Sequence, residues 1–198
     1  TKIEGKFEGQ PEVEARVRDT LGGTYQALGE LKQAHPHMER ALALRREGLG
    51  DEHPATLFSV HNMGFLLQEQ GKLDEAEPLL RKVLEGRRRV FGNDHLDTLM
   101  SINHMGYLLH LQGRLDEAEP FYREGLEGRR RVLGDDHWQT QTSIHNMGTL
   151  HWSQGRLDEA EPFFREALKG QRRTLGDTHP YTLRSINNLG LLLHKQGK

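Results

Sequence analysis

Twelve histidines and a recurring set of carboxylates are the residues through which this 198-residue chain could do chemistry. His53, His95, His137 and His179 stand beside Asp51, Asp94, Asp135 and Asp177, a combination that invites a metal or catalytic reading. A zinc site needs three or four ligands converging on one point. These histidines instead recur every 42 residues. Equivalent residues of stacked helical units lie roughly 10 Å apart, so they form a row and read as structural residues of a turn. His35-Pro36-His37 is an isolated His-x-His, to which only incidental metal binding can be assigned. Gly-x-Ser-x-Gly, a phosphate-cradling Gly-rich loop and His-Glu-x-x-His are all missing. The chain has no cysteine, which removes disulfides, thiolate zinc sites and cysteine nucleophiles together. The residues therefore predict a non-enzymatic protein with no catalytic residues, metal or cofactor.

The spacing belongs to a repeat. Asp-Glu-Ala-Glu-Pro occurs at 74–78, 116–120 and 158–162, and Gly71, Gly113, Gly155 and Gly197 keep the same step. Residues 50–91 and 92–133 are identical at 25 of 42 positions. The line continues back through Gly22, Gly29, Ala34 and Pro36. The chain thus reads as one array over 1–198: repeat 1 (about 9–49), repeat 2 (50–91), repeat 3 (92–133), repeat 4 (134–175) and half of a fifth (176–198). Each copy predicts two helices. Leu57, Val60, Met63, Gly64 and Leu67 recur at helical spacing, then Ala76, Leu80, Val83 and Leu84, with Gly71 breaking the pattern between them. Asp74 and Glu77 are expected to form a capping box, with Pro78 in the first turn. Arg87-Arg88-Arg89 closes the second helix before Gly92, so acid at the start and base at the end suit the helix dipole.

An apolar fraction of 34% is low for one round core. It suits hairpins that cannot bury their stripes alone and stack into a thin continuous seam. Ala34, Ala76, Ala118 and Ala160 are expected where two helices approach closely, opposite Gly22, Gly64, Gly106, Gly148 and Gly190. Met38, Leu80, Tyr122 and Phe164 would fill the space between hairpins. Gly86, Gly128 and Gly170 sit inside the second helix at a cost of ~1 kcal/mol each relative to Ala, which points to close backbone approach. With 27 Lys+Arg against 29 Asp+Glu, the balance argues against nucleic-acid binding. The arginine runs (45–46, 87–89, 129–131, 172–173) are each balanced by acids within the same helix. No apolar run nears the ~20 residues that span a bilayer, and Thr1-Lys2-Ile3-Glu4-Gly5 has no apolar stretch behind its charges. The expectation is a cytoplasmic chain with no membrane or nucleic-acid partner.

The motif Gly64, Leu67, Gly71, Ala76, Leu80, Val83, Leu84 resembles the tetratricopeptide repeat (TPR). The longer copy, with Gly-Asp-x-His-Pro, Thr-Leu, Asn-x-Gly and Gln-Gly-x-Leu-Asp-Glu-Ala-Glu-Pro, is similar to the 42-residue kinesin-light-chain class, which also occurs in bacterial proteins. Residues Gln10–Tyr25 resemble the first repeat of bacterial chains that join such arrays to a serine/threonine kinase. His151, Trp138, Leu96 and Gly125 depart from the pattern of the other copies, and His151 places a polar ring near the seam. The resemblance implies an all-α, right-handed α-solenoid of stacked helix-turn-helix hairpins. It also implies a concave groove lined by the first helix of each copy.

By period, that groove takes Arg16, Asp19 and Gln26; Phe58, His61, Phe65 and Gln68; Met100, Asn103, Tyr107 and His110; Thr142, His145, Thr149 and Trp152; and Arg184, Asn187, Leu191 and His194. Amide and imidazole groups beside aromatics suit an extended peptide, so the expected role is a scaffold binding a peptide or partner protein. Two other classes remain open: the sensor or scaffold arm of a larger signalling enzyme, and a self-assembling structural protein. For the latter, Ile186, Leu189, Leu192 and Leu193 of the last helix are expected to be covered by a further segment, or by the N-terminal face of another copy around Thr1–Glu8. Such a head-to-tail contact would grow into a filament.

Overall fold

The protein is described by a computed structural model covering residues 6–198; the expectation placed on Thr1–Gly5 lies outside these residues. The described residues hold nine α-helices and no strand. They are α1 (Pro11–Ala27), α2 (Leu31–Leu49), α3 (Pro54–Glu69), α4 (Leu73–Phe91), α5 (Leu96–Leu111), α6 (Leu115–Leu133), α7 (Trp138–Ser153), α8 (Leu157–Leu175) and α9 (Pro180–Lys195). They gather into two compact units, one ending at Gly92 and one spanning Asn93–Lys198, divided where repeat 2 gives way to repeat 3. Within each unit every helix packs on its neighbour in sequence, which makes the fold an all-α solenoid of helical hairpins.

Glycine and histidine set the helix ends. At the end of α3, Gly71 adopts φ 76, its N–H donates to the Gln68 carbonyl at 3.0 Å, and Lys72 N–H donates to the Leu67 carbonyl at 2.9 Å. This left-handed closure suits glycine and releases the chain straight into α4. The second helix consequently starts earlier than the capping-box reading allows. Its N-cap is Lys72, with no side-chain cap bond, and Arg114 and Arg156 repeat this. Asp74 and Glu75 lie inside the first turn, and Glu77 accepts from Arg81 Nε one turn later at 2.9 Å. Pro78 therefore falls past the first turn, inside the helix, as Pro36, Pro120 and Pro162 do. Among the first helices α3, α5, α7 and α9 have side-chain caps, whereas α1, with Gln10 at its N-cap, has none. The Nδ1 atoms of His53, His95, His137 and His179 accept from backbone N–H groups two residues on, at 3.2, 3.2, 3.2 and 3.3 Å.

Packing follows the small residues. Ala34, Ala76, Ala118 and Ala160 have no exposed surface. A Cβ on Gly64 would stand 2.8 Å from Leu80 Cδ2, one on Gly106 2.9 Å from Tyr122 Cδ1, and one on Gly148 2.9 Å from Phe164 Cδ1. Leu80, Tyr122 and Phe164 therefore fill the notch inside their own hairpin, and Phe164 also fills space between hairpins, clustering with Leu189 and Leu192 of α9. Gly86 is closely approached, though by a side chain and not by a backbone, its Cβ position being 2.6 Å from Leu57 Cδ2. Gly125 leaves room for the Asn103 amide.

The arginine runs divide by position. Arg45, Arg87 and Arg129 are buried. The arginines that follow hold the loops: Arg46 pairs with Asp51 at 3.1 Å, Arg130 with Asp135 at 3.0 Å and Arg172 with Asp177 at 2.8 Å. Arg89 reaches Glu52 at 2.8 Å, and Arg131 and Arg173 grip Asp94 and Asp136.

Candidate functional site

The first helices carry the residues on which binding would depend, and burial sorts them. Along α3 the residues Thr56, Leu57, Val60, His61, Met63, Gly64, Leu67 and Gln68 are all buried, so little of the helix meets solvent. α5 and α7 repeat this. Of the expected groove residues, Phe58 and Tyr107 are the open aromatics, at 47% and 44% exposure. Phe65, His110 and Trp152 are half-buried, and Asn187 and His194 on α9 are exposed.

His61, Gln68, Asn103 and His145 are buried and do not offer a surface. Their column faces the junction between helices. Asn103 Nδ2 donates to the Leu99 carbonyl at 3.0 Å, and its Oδ1 accepts from Ser143 Oγ at 3.0 Å. His145 Nε2 lies 2.9 Å from Asn188 Nδ2, and its ring meets Phe164 edge-on at 5.4 Å. Burial first, then the nearby Arg184 charge, push the His145 pKa down to about 4, against a hydrogen bond with Asn146 that raises it. His110 is likewise held below its ordinary value by burial; its Nε2 is 2.9 Å from Ser153 Oγ. Trp152 packs edge-on against Phe164 at 6.0 Å and joins the cluster of Ala160, Phe164, Leu168, Leu189 and Leu192. It is therefore as much a core residue as a contact residue.

In unit 1 the first helices enclose an open cleft of about 400 Å³ between α1 and α3. Its sides are Arg16, Thr20 and Gly23 of α1 and Phe58 and Asn62 of α3, with Met38 and Arg45 of α2 also lining it. Sequence reasoning missed Asn62 and its half-buried counterparts His104, Asn146 and Asn188. Their polar character at one constant step was the available signal. The column one residue earlier, His61, Asn103, His145 and Asn187, matches the groove by period just as well.

The repeat profiles decide the family. A tetratricopeptide-repeat profile matches residues 57–131, 99–169 and 139–198, and another matches residues 15–55. The chain belongs to the tetratricopeptide repeat family. That fold serves protein interaction and scaffolding, and its members are generally non-catalytic. No curated protein sequence matches it. Among solved structures it is similar to the nearly identical TPR-like repeats of a Podosopora anserina kinesin light chain, with a TM-score of 0.82 at 24% identity over 94% of this chain and 88% of that one. It is similar to BtubC (BKLC) from P. vanneervenii, with a TM-score of 0.82 at 19% identity over 95% and 75% of the two chains. A Rap protein complexed with competence and sporulation factor gives a TM-score of 0.76 at 12% identity over 93% of this chain and 49% of that one.

The last helix of this TPR chain differs from the expectation. Leu189 and Leu192 are buried against α8, and Leu193 packs partly on the same cluster. Ile186 is 36% exposed, and it shares its openness with Leu183 at 52% and Leu191 at 50%. The equivalents of Ile186 in the second, third and fourth hairpins, Val60, Ile102 and Ile144, have no exposed surface. No described helix of the TPR array is long and apolar enough to cross a membrane.

Proposed function

We propose that this TPR chain is a cytoplasmic scaffold that binds an extended peptide along its first helices, and that the peptide is acidic where it meets α5, α7 and α9. The distribution of charge in unit 2 carries this reading. After Asp97 in the first turn of α5, these three helices contain no carboxylate, while they present His104, His110, Arg184 and His194. The acids of unit 2 lie mainly on α6 and α8, from Asp116 to Glu127 and from Asp158 to Glu166. Exposed Tyr107 and half-buried His110 supply apolar contact, and the Asn146 and Asn188 amides can satisfy a peptide backbone. The similarity in fold to a Rap protein complexed with competence and sporulation factor supports a binding role. Peptides selected by display on the whole chain test it. Tyr107→Ala should weaken a selected acidic ligand by ~2 kcal/mol, and added salt should weaken it further. Chemical-shift mapping that places the ligand on the exposed side of the second helices, around Glu85 or Arg123, with no shifts on α5, α7 or α9, would refute the reading.

A second reading, self-association, draws on the exposed Leu183, Ile186 and Leu191 of α9. Light scattering across a concentration series should then show growth that Ile186→Glu abolishes; a mass independent of concentration excludes it.

A further inference from the structure

Repeats 1 and 3 place a buried arginine at the same point of the second helix, and they treat it differently. Arg45 donates through Nη1 to the Ala55 carbonyl at 3.3 Å, to Ser59 Oγ at 2.8 Å and to Asp19. Its other edge is taken by Glu12 of α1, with Nε to Oε2 at 3.3 Å and Nη2 to Oε1 at 3.2 Å. Arg129, two repeats on, keeps the first set of bonds: Nη1 donates to the Gln139 carbonyl at 3.0 Å and to Ser143 Oγ at 2.9 Å. The two carboxylates are gone. Leu96 stands where Glu12 stood, and Asn103 where Asp19 stood.

Among the described residues no carboxylate pairs with Arg129, although it is only 6% exposed. Burial alone pushes its pKa down, to about 10. Nearby acids have other partners. Asp97 turns to its own helix cap, 3.7 Å from His95 Nδ1; Asp135 pairs with Arg130 and Asp94 with Arg131. A buried guanidinium without a counterion is costly, and it favours any carboxylate that reaches it with two parallel hydrogen bonds. Leu96, the first residue of α5, is 43% exposed and offers no carboxylate in the place that Glu12 holds in repeat 1.

We propose that the Nε and Nη2 edge of Arg129 is a carboxylate-binding site that takes an acidic group of the bound peptide in the way Arg45 takes Glu12. The proposal deepens the peptide-binding reading and rests on it. It adds a specific anchor on a second helix, reached beside the start of α5.

Three short peptides test it on the whole chain: acetyl-Gly-Gly-Glu-Gly-Gly-amide, the same peptide with Gln for Glu, and the Gln peptide with a free C-terminal carboxylate. Binding is read from the Arg129 Nε–Hε signal and the backbone amides of Leu96 and Ser143. A side-chain carboxylate should shift them saturably, with at least tenfold weaker response to the neutral peptide. The third peptide tells whether a terminal carboxylate serves as well. Arg129→Gln should abolish the response at Ser143. It has a precedent in the fold, because Gln171 occupies the equivalent place in repeat 4 at 3% exposure. Leu96→Glu should rebuild the Glu12–Arg45 pairing internally and block both carboxylate peptides. No saturable shift with either carboxylate, or equal responses in the wild type and both variants, overturns the site. A display-selected ligand weakened by Tyr107→Ala but unaffected by Arg129→Gln sustains groove binding and overturns the Arg129 anchor.

Discussion

Gly106→Ala should destabilise the protein, although alanine is the better helix former. In an open helix the exchange stabilises by ~1 kcal/mol. At Gly106 the new methyl would stand 2.9, 3.1 and 3.2 Å from three ring atoms of Tyr122. That ring is 1% exposed, so it has nowhere to retreat without displacing its neighbours. Overpacking of this kind costs ~1–3 kcal/mol, and the net expectation is a loss of about 0–2 kcal/mol. Gly190, at the same repeat position on α9, has nothing within 4 Å of its Cβ position. There the substitution should stabilise, or be neutral if the end of α9 frays. Urea unfolding followed by circular dichroism gives both values from the shift in midpoint at constant slope. Tyr122→Leu supplies the internal control, because removing the ring leaves space into which the new methyl and the smaller leucine can settle. Gly106→Ala should cost less in that background. An equal gain at Gly106 and Gly190 would refute the notch packing and with it the hairpin register.

Ala118→Leu, at a site with no exposed surface, should cost roughly 1–3 kcal/mol in the same assay, whereas Glu127→Ala on the open side of α6 should stay within ~0.5 kcal/mol. His95→Ala should cost ~1 kcal/mol by removing the acceptor for the Asp97 N–H, and His95→Asn should recover most of it because Asn caps well. His145, held near 4 when folded, binds its proton more readily in the unfolded chain, so stability should fall as pH drops from about 6.5 towards 4. The loss from this residue is at most roughly 3 kcal/mol. His145→Asn, which installs the residue found at Asn103, should flatten the slope of unfolding midpoint against pH over that window.

The repeat made the fold legible. A constant step of 42 residues with Gly71-type breaks places every helix, because glycine at positive φ ends one helix and commits the chain to the next. Where the reading failed, the failure was local. The Asp-Glu-Ala-Glu motif resembles a cap in composition, yet the turn at Gly71 starts α4 at Leu73, ahead of Asp74. The actual caps, His53 and its counterparts, read from sequence only as turn residues, since histidine is not among the usual capping types.

The candidate surface was legible only in part, for a geometric reason. Within a unit, a first helix such as α7 is enclosed by its hairpin partner and by the preceding second helix, so its open face is narrow. A period of 3.6 residues cannot separate a column facing solvent from one facing the next helix when both are polar. His61, Asn103 and His145 look like groove residues by type, and their burial shows them to be junction residues. The arginine runs carried the reverse error. As a charge pattern they are uniform, and only the inward turn of Arg45 and Arg129 makes the exchange of Glu12 for Leu96 consequential. Repeats that are nearly identical where they pack must differ where they act. The informative comparison is therefore between equivalent partners of the same buried group. By that comparison repeat 1 neutralises Arg45 from within, while repeat 3 leaves the matching charge of Arg129 available to a ligand.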